Sequence, residues 1–194
     1  MAGQNLRIEG YVIVSADGML ANAAGVMPDE LRFAGDKAFF TNALEHVDLI
    51  VHGRNSFEDQ PNSPRRKRII VTRKVTALAP DPENPLALLW NPAGARFEAA
   101  ADQAGVRAGT VAIIGGPDVF AMFMDRYDTF WLSLAPHVRL PDGEPCFPGV
   151  PGRSPQQILA AHGLKPGAPE ILDSRFDVSV TPWRRETERG QASP

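Results

Sequence analysis

The sequence predicts an α/β domain with a mixed, mostly parallel sheet flanked by helices and an antiparallel hairpin near the C-terminus. Three observations predict this class. Apolar strand-like segments alternate with helix-like segments, which is typical of a largely parallel sheet. Two adjacent glycines follow one of those strands, and residues 170–185 have the pattern of a closing hairpin. We expect one domain over residues 1–194, with its core at about 6–184 and a disordered tail at 185–194.

The N-terminal part predicts a strand, a loop and a helix, in that order. Residues 6–15 are rich in β-branched side chains, whereas residues 16–26 are small and glycine-rich. A helix is expected from Pro28, because proline suits the first helical position and the acidic Asp29 and Glu30 suit the first turn.

The middle of the chain predicts two buried strands, at 46–53 and 68–72. Prolines exclude regular structure at 80–85. A short strand is expected within 86–91, and a helix at 95–104.

The C-terminal half continues the alternation. A strand at 111–114 precedes a helix, and a further strand follows at 129–135. The next helix is expected to begin after Ser154, a good N-cap, and to stop at Gly163.

Composition indicates an ordinary soluble protein. The chain has 43% hydrophobic and 22% charged residues and a net charge of −3, so it carries no overall attraction to nucleic acids or anionic membranes. Its one cysteine, Cys146, excludes an internal disulfide, and its four histidines lack metal-ligand spacing. No apolar run reaches the length of a membrane span, and the N-terminus lacks a signal-peptide pattern. We therefore expect a cytoplasmic protein with no metal, and no nucleic-acid or membrane partner.

The paired glycines Gly115 and Gly116 lie between a strand and a helix, followed at once by Pro117 and Asp118. Ligands of open α/β sheets bind at the carboxyl ends of strands, where helix N-termini attract phosphates. Residues without a Cβ let a pyrophosphate approach the backbone. A tight turn without a ligand is the alternative explanation.

Two other strand ends carry groups that suit phosphate. Gly53 and Arg54 follow the strand at 46–53, with a hydroxyl at Ser56, and Thr72 and Arg73 end the strand at 68–72. A guanidinium binds phosphate through two hydrogen bonds, and a hydroxyl adds one. Three such loops together favour a dinucleotide that bears a 2′-phosphate.

The chain also resembles a known family. The motifs VHGRNSFE, RRKRIIVTR, AIIGGPDVF and GEPCFP follow one another in the order and spacing of the dihydrofolate reductase superfamily. SADGML and the C-terminal hairpin are more similar to the branch that contains the riboflavin-biosynthesis reductase domain and its stand-alone relatives. The resemblance implies a three-layer fold, NADPH as hydride donor, a pterin or aminopyrimidine-type acceptor, and a cis peptide bond between the paired glycines. Because this branch commonly pairs through its sheet edge, a second copy of the chain is an expected partner.

The resemblance implies specific site residues. The cofactor would be held by Ile13, Asp17, Leu20, Gly53, Arg54, Asn55, Ser56, Thr72, Arg73, Gly115, Gly116, Asp118 and Val119. The substrate would contact Glu30, Phe33 and Arg66.

Folate-reducing members place a carboxylate in the first turn of the helix that follows the 16–26 loop. Glu30 matches that place best, and Asp29 is the alternative acid. Such a group can help to protonate the nitrogen of a reduced C=N bond. The same members carry a threonine two residues before FP, where this chain has Pro145, so the resemblance favours a heterocycle other than dihydrofolate.

Three functions are compatible with these observations. The first is an NADPH-dependent reductase of a pterin or aminopyrimidine, such as a 5-amino-6-ribosylaminouracil-like compound. The second is a catalytically silent relative that binds NADPH or a nucleotide. The third is a nucleic-acid-binding protein that uses the basic run at 64–68, which is more typical of a solvated loop.

Overall fold

The structure is a computed structural model, and it describes residues 5–56 and 62–186. The strands are β1 Asn5–Ser15, β2 Met19–Ala21, β3 Leu49–Gly53, β4 Arg68–Val71, β5 Leu78–Pro80, β6 Ala87–Trp90, β7 Ala108–Ile113, β8 Thr129–Ala135, β9 Glu144–Pro145, β10 Leu164–Pro166, β11 Glu170–Asp173 and β12 Val178–Arg185. The α-helices are α1 Ala34–Glu45, α2 Phe97–Gln103, α3 Pro117–Met122 and α4 Pro155–Ala161, and short 3-10 turns occupy Asp29–Leu31, Ser63–Arg65 and Met124–Arg126.

Ten of these strands form one sheet in the order β10-β12-β8-β1-β7-β3-β4-β6-β5, with β11 paired to β12. The central strands β8, β1, β7, β3, β4 and β6 are parallel to one another. Antiparallel strands flank them on both sides, with β12 next to β8 and β5 next to β6. The predicted mixed, mostly parallel sheet and C-terminal hairpin are therefore confirmed.

Successive strand residues point to opposite faces of the sheet, and here both faces carry apolar side chains that helices cover. On one face, α1 packs against the sheet through a cluster that contains Tyr11, Leu44 and Ile50. On the other face, α2, α3 and α4 bury their apolar side chains in a larger core around Val14 and Ile113. The face covered by α1 is the one that matters for the site described below.

Several predicted elements are confirmed with shorter bounds. β8 spans the predicted 129–135, and α4 begins after Ser154, whose side chain accepts a hydrogen bond from the Gln157 N–H in a capping box. The strand predicted at 46–53 begins only at Leu49, because His46 caps the C-terminus of α1. β5, β9 and β10 were not predicted, since two- and three-residue strands carry too little periodicity.

The helix expected from Pro28 is wrong at its start. Asp29–Leu31 form a single 3-10 turn, the next residues are extended, and α1 begins at Ala34. Leu31 is fully buried against Ile13 and Val178, and this contact draws the segment across the sheet before a regular helix can form.

The loop predicted at 16–26 also contains regular structure. β2 lies within it and pairs with β9, which attaches this segment to the chain that follows β8. The expected tail lies outside the described residues, except for its first two positions. None of the described helices has the length and apolar character that a membrane crossing requires.

Candidate cofactor and substrate site

Three loops follow neighbouring strands, two of them with glycine and two with arginine. β7, β3 and β4 are adjacent and parallel, so their carboxyl ends lie at one edge of the sheet. The backbone N–H of Gly53 donates to the carbonyl oxygen of Gly115 at 2.6 Å, which joins the first two loops directly. We call this edge the rim. It consists of residues 53–56, 72–73 and 115–119.

The peptide bond between Gly115 and Gly116 is cis, as the family resemblance implied. Gly115 has a φ of +116°, a conformation that L side chains rarely adopt. A Cβ on Gly116 would lie 3.0 Å from the Oγ of Ser56, and a Cβ on Gly53 would lie 3.5 Å from the Gly116 nitrogen. The backbones of the two loops therefore lie directly against each other, and a side chain at Gly116 would crowd Ser56.

The remaining rim residues differ in exposure. Thr72 is buried and its Oγ1 accepts a hydrogen bond from the Lys74 N–H at 3.2 Å, whereas Arg73 is exposed. Arg54, Asn55 and Asp118 are also exposed, so their side chains are available to a ligand. Val119 is 4% exposed and packs in the core beneath Gly53.

The residues expected near the nicotinamide have separate surroundings. Ile13 packs on the α1 face with Leu31, whereas Leu20 packs against the larger core. Asp17 accepts hydrogen bonds from the Ser15 hydroxyl at 2.5 Å and from the Leu140 N–H at 3.1 Å. Burial opposes these contacts, but together they lower the pKa of the Asp17 carboxyl. Asp17 therefore ties two loops together, and the structure gives no support to its expected cofactor contact.

The structure does not place Asp29 and Glu30 in the first turn of the α-helix that follows the 16–26 loop. Both residues are exposed on the 3-10 turn that precedes α1, and the Asp29 side chain is fully exposed beside Arg32. Because the helix was expected to start at Pro28 and starts at Ala34, the wrong acidic residues were assigned to its first turn.

The acidic residue in the first turn of α1 is Asp36, which sequence reasoning missed. Its carboxylate accepts a hydrogen bond from the hydroxyl of Ser133 on β8, a residue that is 3% exposed. Burial raises the pKa of Asp36 above the ordinary Asp range, and the hydrogen bond from Ser133 opposes that shift only in part. Asp36 is thus an acid that keeps its proton to higher pH than a solvated aspartate.

Strand register relates this acid to the rim. Gly10 of β1 pairs with Phe130 of β8 on one side and with Ile113 of β7 on the other. Ser133 lies three residues beyond Phe130, and Gly116 lies three residues beyond Ile113. Ser133, the partner of Asp36, and Gly116 are therefore at about the same level of the sheet, separated by two strand spacings, or about 10 Å.

Half-buried apolar side chains lie between these two features. Phe40 of α1 and Ile114, just before the glycine pair, pack against the same cluster as Tyr11. Phe33, an expected substrate contact, is half-buried at the N-cap of α1 and packs against Phe176 with ring centroids 5.6 Å apart. These aromatic and aliphatic walls suit a flat heterocycle.

Arg66 is positioned differently from the other expected substrate contacts. It precedes β4, at the amino-terminal edge of the sheet opposite the rim, and forms an ion pair with Glu45 at the end of α1. The structure therefore gives no support to a direct role for Arg66 beside Asp36.

Pro145 does not leave the site without a hydroxyl. It pairs with Met19 in the short β2–β9 ladder, and the hydroxyl partner of the site carboxylate comes from Ser133 instead. Pro145 is therefore no reason to exclude dihydrofolate as a substrate.

A pattern in the sequence marks Asp36 and Ser133 once α1 is known. Asp36, Phe40 and Leu44 follow one another at intervals of four, which puts a carboxylate on the apolar face of a helix. Ser133 alternates with Trp131 and Ala135 along β8, so a hydroxyl occupies the face that meets α1.

The thiol and the potential metal ligands have other surroundings. Cys146 is fully buried, and burial raises the pKa of its thiol to about 12. Within residues 5–56 and 62–186, no group of three His, Cys, Asp or Glu side chains is arranged to hold a metal ion.

These features define an α/β protein whose parallel strands end at a glycine-bearing rim beside a desolvated acid. Its fold is that of dihydrofolate reductase. A protein described as a riboflavin biosynthesis protein from Shewanella sp. PV-4 has 20% identity and a TM-score of 0.64, over 93% of this chain and 99% of the other. Dihydrofolate reductase from Enterococcus faecalis, complexed with NADP(H) and RAB-propyl, has 18% identity and a TM-score of 0.64, over 93% of this chain and 97% of the other. No family model and no curated protein matches the chain.

Proposed function

We propose that this chain is an NADPH-dependent reductase that reduces a C=N bond in a pterin or aminopyrimidine-type heterocycle. The observation that supports the proposal is that Ser133, the partner of Asp36, is level with the cis Gly115–Gly116 loop, two strand spacings or about 10 Å across the sheet. An acid and a glycine-bearing loop thus lie toward the same edge of the sheet.

The rim fits a dinucleotide phosphate. The backbones of Gly53 and Gly116 lie against each other without a Cβ, and the Ser56 hydroxyl lies beside them. Arg73 is exposed at the end of the neighbouring strand, where its guanidinium would bind a 2′-phosphate and favour NADPH over NADH. When bound, NADPH would supply a hydride to the carbon of the substrate C=N bond.

Asp36 supplies the group that the other atom of that bond requires. Reduction of C=N leaves the nitrogen in need of a proton, and burial raises the pKa of the Asp36 carboxyl, so this group keeps its proton to higher pH than a solvated aspartate. The Ser133 hydroxyl interacts with this carboxyl group on the face of the sheet that α1 covers. Phe40 and Ile114 are half-buried in the cluster on the same face.

The carboxyl group of Asp36 and the apolar side chains near it favour a planar, amino-substituted heterocycle as the substrate. A carboxyl group can hydrogen-bond to an N–H and a ring nitrogen of an amino-substituted heterocycle, and the apolar flanks favour a planar ring. Dihydrofolate, other pterins and ribosylaminopyrimidines all present this edge.

The test is a substrate panel with NADPH, followed at the nicotinamide absorbance band. We expect one of these heterocycles to oxidise NADPH, and Asp36→Asn to lower kcat at least tenfold while the Kd of NADPH is unchanged. Glu30→Gln tests the alternative acid. A fall in kcat with Glu30→Gln, and none with Asp36→Asn, would overturn the role of Asp36. NADPH binding without oxidation by any member of the panel would favour a silent relative.

A further inference from the structure

A second cleft opens at the amino-terminal edge of the sheet, opposite the rim. β3 begins at Leu49, which pairs with Val111, whereas β7 already begins at Ala108. The first residues of β7 therefore project beyond β3 and leave a notch between the segments that lead into β4 and β7. This notch has a volume of about 510 Å³, within the range of small-molecule sites.

The notch has an excess of positive charge. Its cations are Arg65, Arg66, Lys67 and Arg107, and its carboxylates are Glu45 and Asp48. Both carboxylates already accept hydrogen bonds from the protein. Glu45 accepts from Arg66 and from Asn62 at 2.9 Å, and Asp48 accepts from the Thr110 N–H at 2.8 Å.

Two of the cations are open to a ligand. Arg65 and Lys67 are exposed, and neither forms an ion pair with another residue in the described part of the chain. The Lys67 ammonium donates to the carbonyl oxygen of Gly105 at 3.2 Å, which positions it across the notch and leaves it further donors. Leu44, Leu49 and Val106 lie behind these charges and are buried in the core.

We propose that the notch binds a phosphorylated small molecule, with AMP as the probe, and that the phosphate lies between Arg65 and Lys67. A guanidinium and an ammonium together satisfy a phosphate, whereas an uncharged ligand would leave both cations uncompensated. The four-residue advance along β3 from Leu49 to Gly53 separates the notch from the rim by about 13 Å. The two sites are therefore distinct, and this proposal does not depend on the proposed reductase activity.

The test is calorimetric titration of the full chain with AMP and with pyrophosphate at low ionic strength. We expect the double variant R65Q/K67Q to weaken AMP binding at least tenfold, because each lost charge-assisted hydrogen bond costs about a factor of ten. Arg153→Gln removes the same kind of exposed charge near α4 and serves as the matched control, with an unchanged Kd. Glu45→Gln lowers the negative charge at the notch, so it should tighten binding several-fold.

A further measurement locates the ligand. The amide signals of Lys67, Gly105 and Arg107 should shift on addition of AMP in a ¹⁵N-correlation spectrum, whereas those of Gly53, Ser56 and Gly116 at the rim should not. Shifts confined to the rim amides would place the ligand at the rim and overturn the proposal. An unchanged Kd in R65Q/K67Q, or binding of a longer RNA strand without binding of AMP, would also overturn it.

Discussion

The hydroxyl of Ser133 donates a hydrogen bond to the carboxylate of Asp36, and this contact joins the first turn of α1 to β8. Asp36 precedes β3 in the sequence and Ser133 follows β7, so the two residues come from distant parts of the chain. Burial and the hydrogen bond act in opposite directions on the pKa of Asp36, and burial prevails.

Ser133→Ala should move the pH dependence of turnover. Removal of the hydroxyl removes the interaction that lowers the pKa of Asp36, so that pKa should rise further. If turnover needs the protonated acid, the decline of kcat at high pH shifts upward in the variant. Ser133→Thr retains a hydroxyl and should restore the original profile. A profile that is identical in all three proteins would contradict the coupling.

Asp36→Asn should increase stability at neutral pH. The folded-state pKa of Asp36 lies above its ordinary value of 3.8, so the favourable contribution of this residue is complete below that value and is lost as pH rises through the raised pKa. Asparagine does not titrate. The difference in free energy of unfolding between the variant and the wild type should therefore be smallest below pH 3.8 and grow as pH rises. Urea denaturation at a series of pH values measures it, and a difference independent of pH would exclude the desolvated carboxylate as its cause.

Arg73→Ala should discriminate between the two nicotinamide cofactors. The exposed guanidinium is available for a 2′-phosphate that NADH lacks, so the Kd of NADPH should rise about tenfold while that of NADH changes little. Fluorescence titration of both cofactors provides the measurement, with Arg153→Ala as a control for loss of surface charge. Equal losses for NADPH and NADH would remove the proposed role of Arg73.

Gly35→Ala should destabilise the fold, because it disturbs the contact between α1 and β11. A Cβ at this position would lie 1.9 Å from the carbonyl oxygen of Leu172, so α1 and β11 would have to separate. We expect the free energy of unfolding to fall by about 1–3 kcal/mol. Gly53→Ala is the matched control for stability, since its Cβ would have no neighbour closer than 3.5 Å. Similar melting temperatures for the two variants would show that α1 is not closely packed on β11.

The site was only partly predictable from sequence. The rim loops could be found because glycine, hydroxyl and basic residues directly follow apolar strands, and neighbouring parallel strands carry those loops to one edge. The acid could not be found in the same way. The side chain of Leu31 is buried and α1 begins only after it. Asp29 and Glu30 were therefore assigned to the first helical turn, where the structure has Asp36.

The sequence by itself determined the alternation of the longer strands and helices, the C-terminal hairpin, the Ser154 cap and the three loops of the rim. These features depend on periodicity and turn chemistry between near neighbours along the chain. Only the tertiary structure decided that Asp36 meets Ser133 and that Arg66 is paired with Glu45. The physical reason is that desolvation and charge pairing depend on groups brought together from distant segments, and local sequence patterns do not specify which of several acids or cations will be buried.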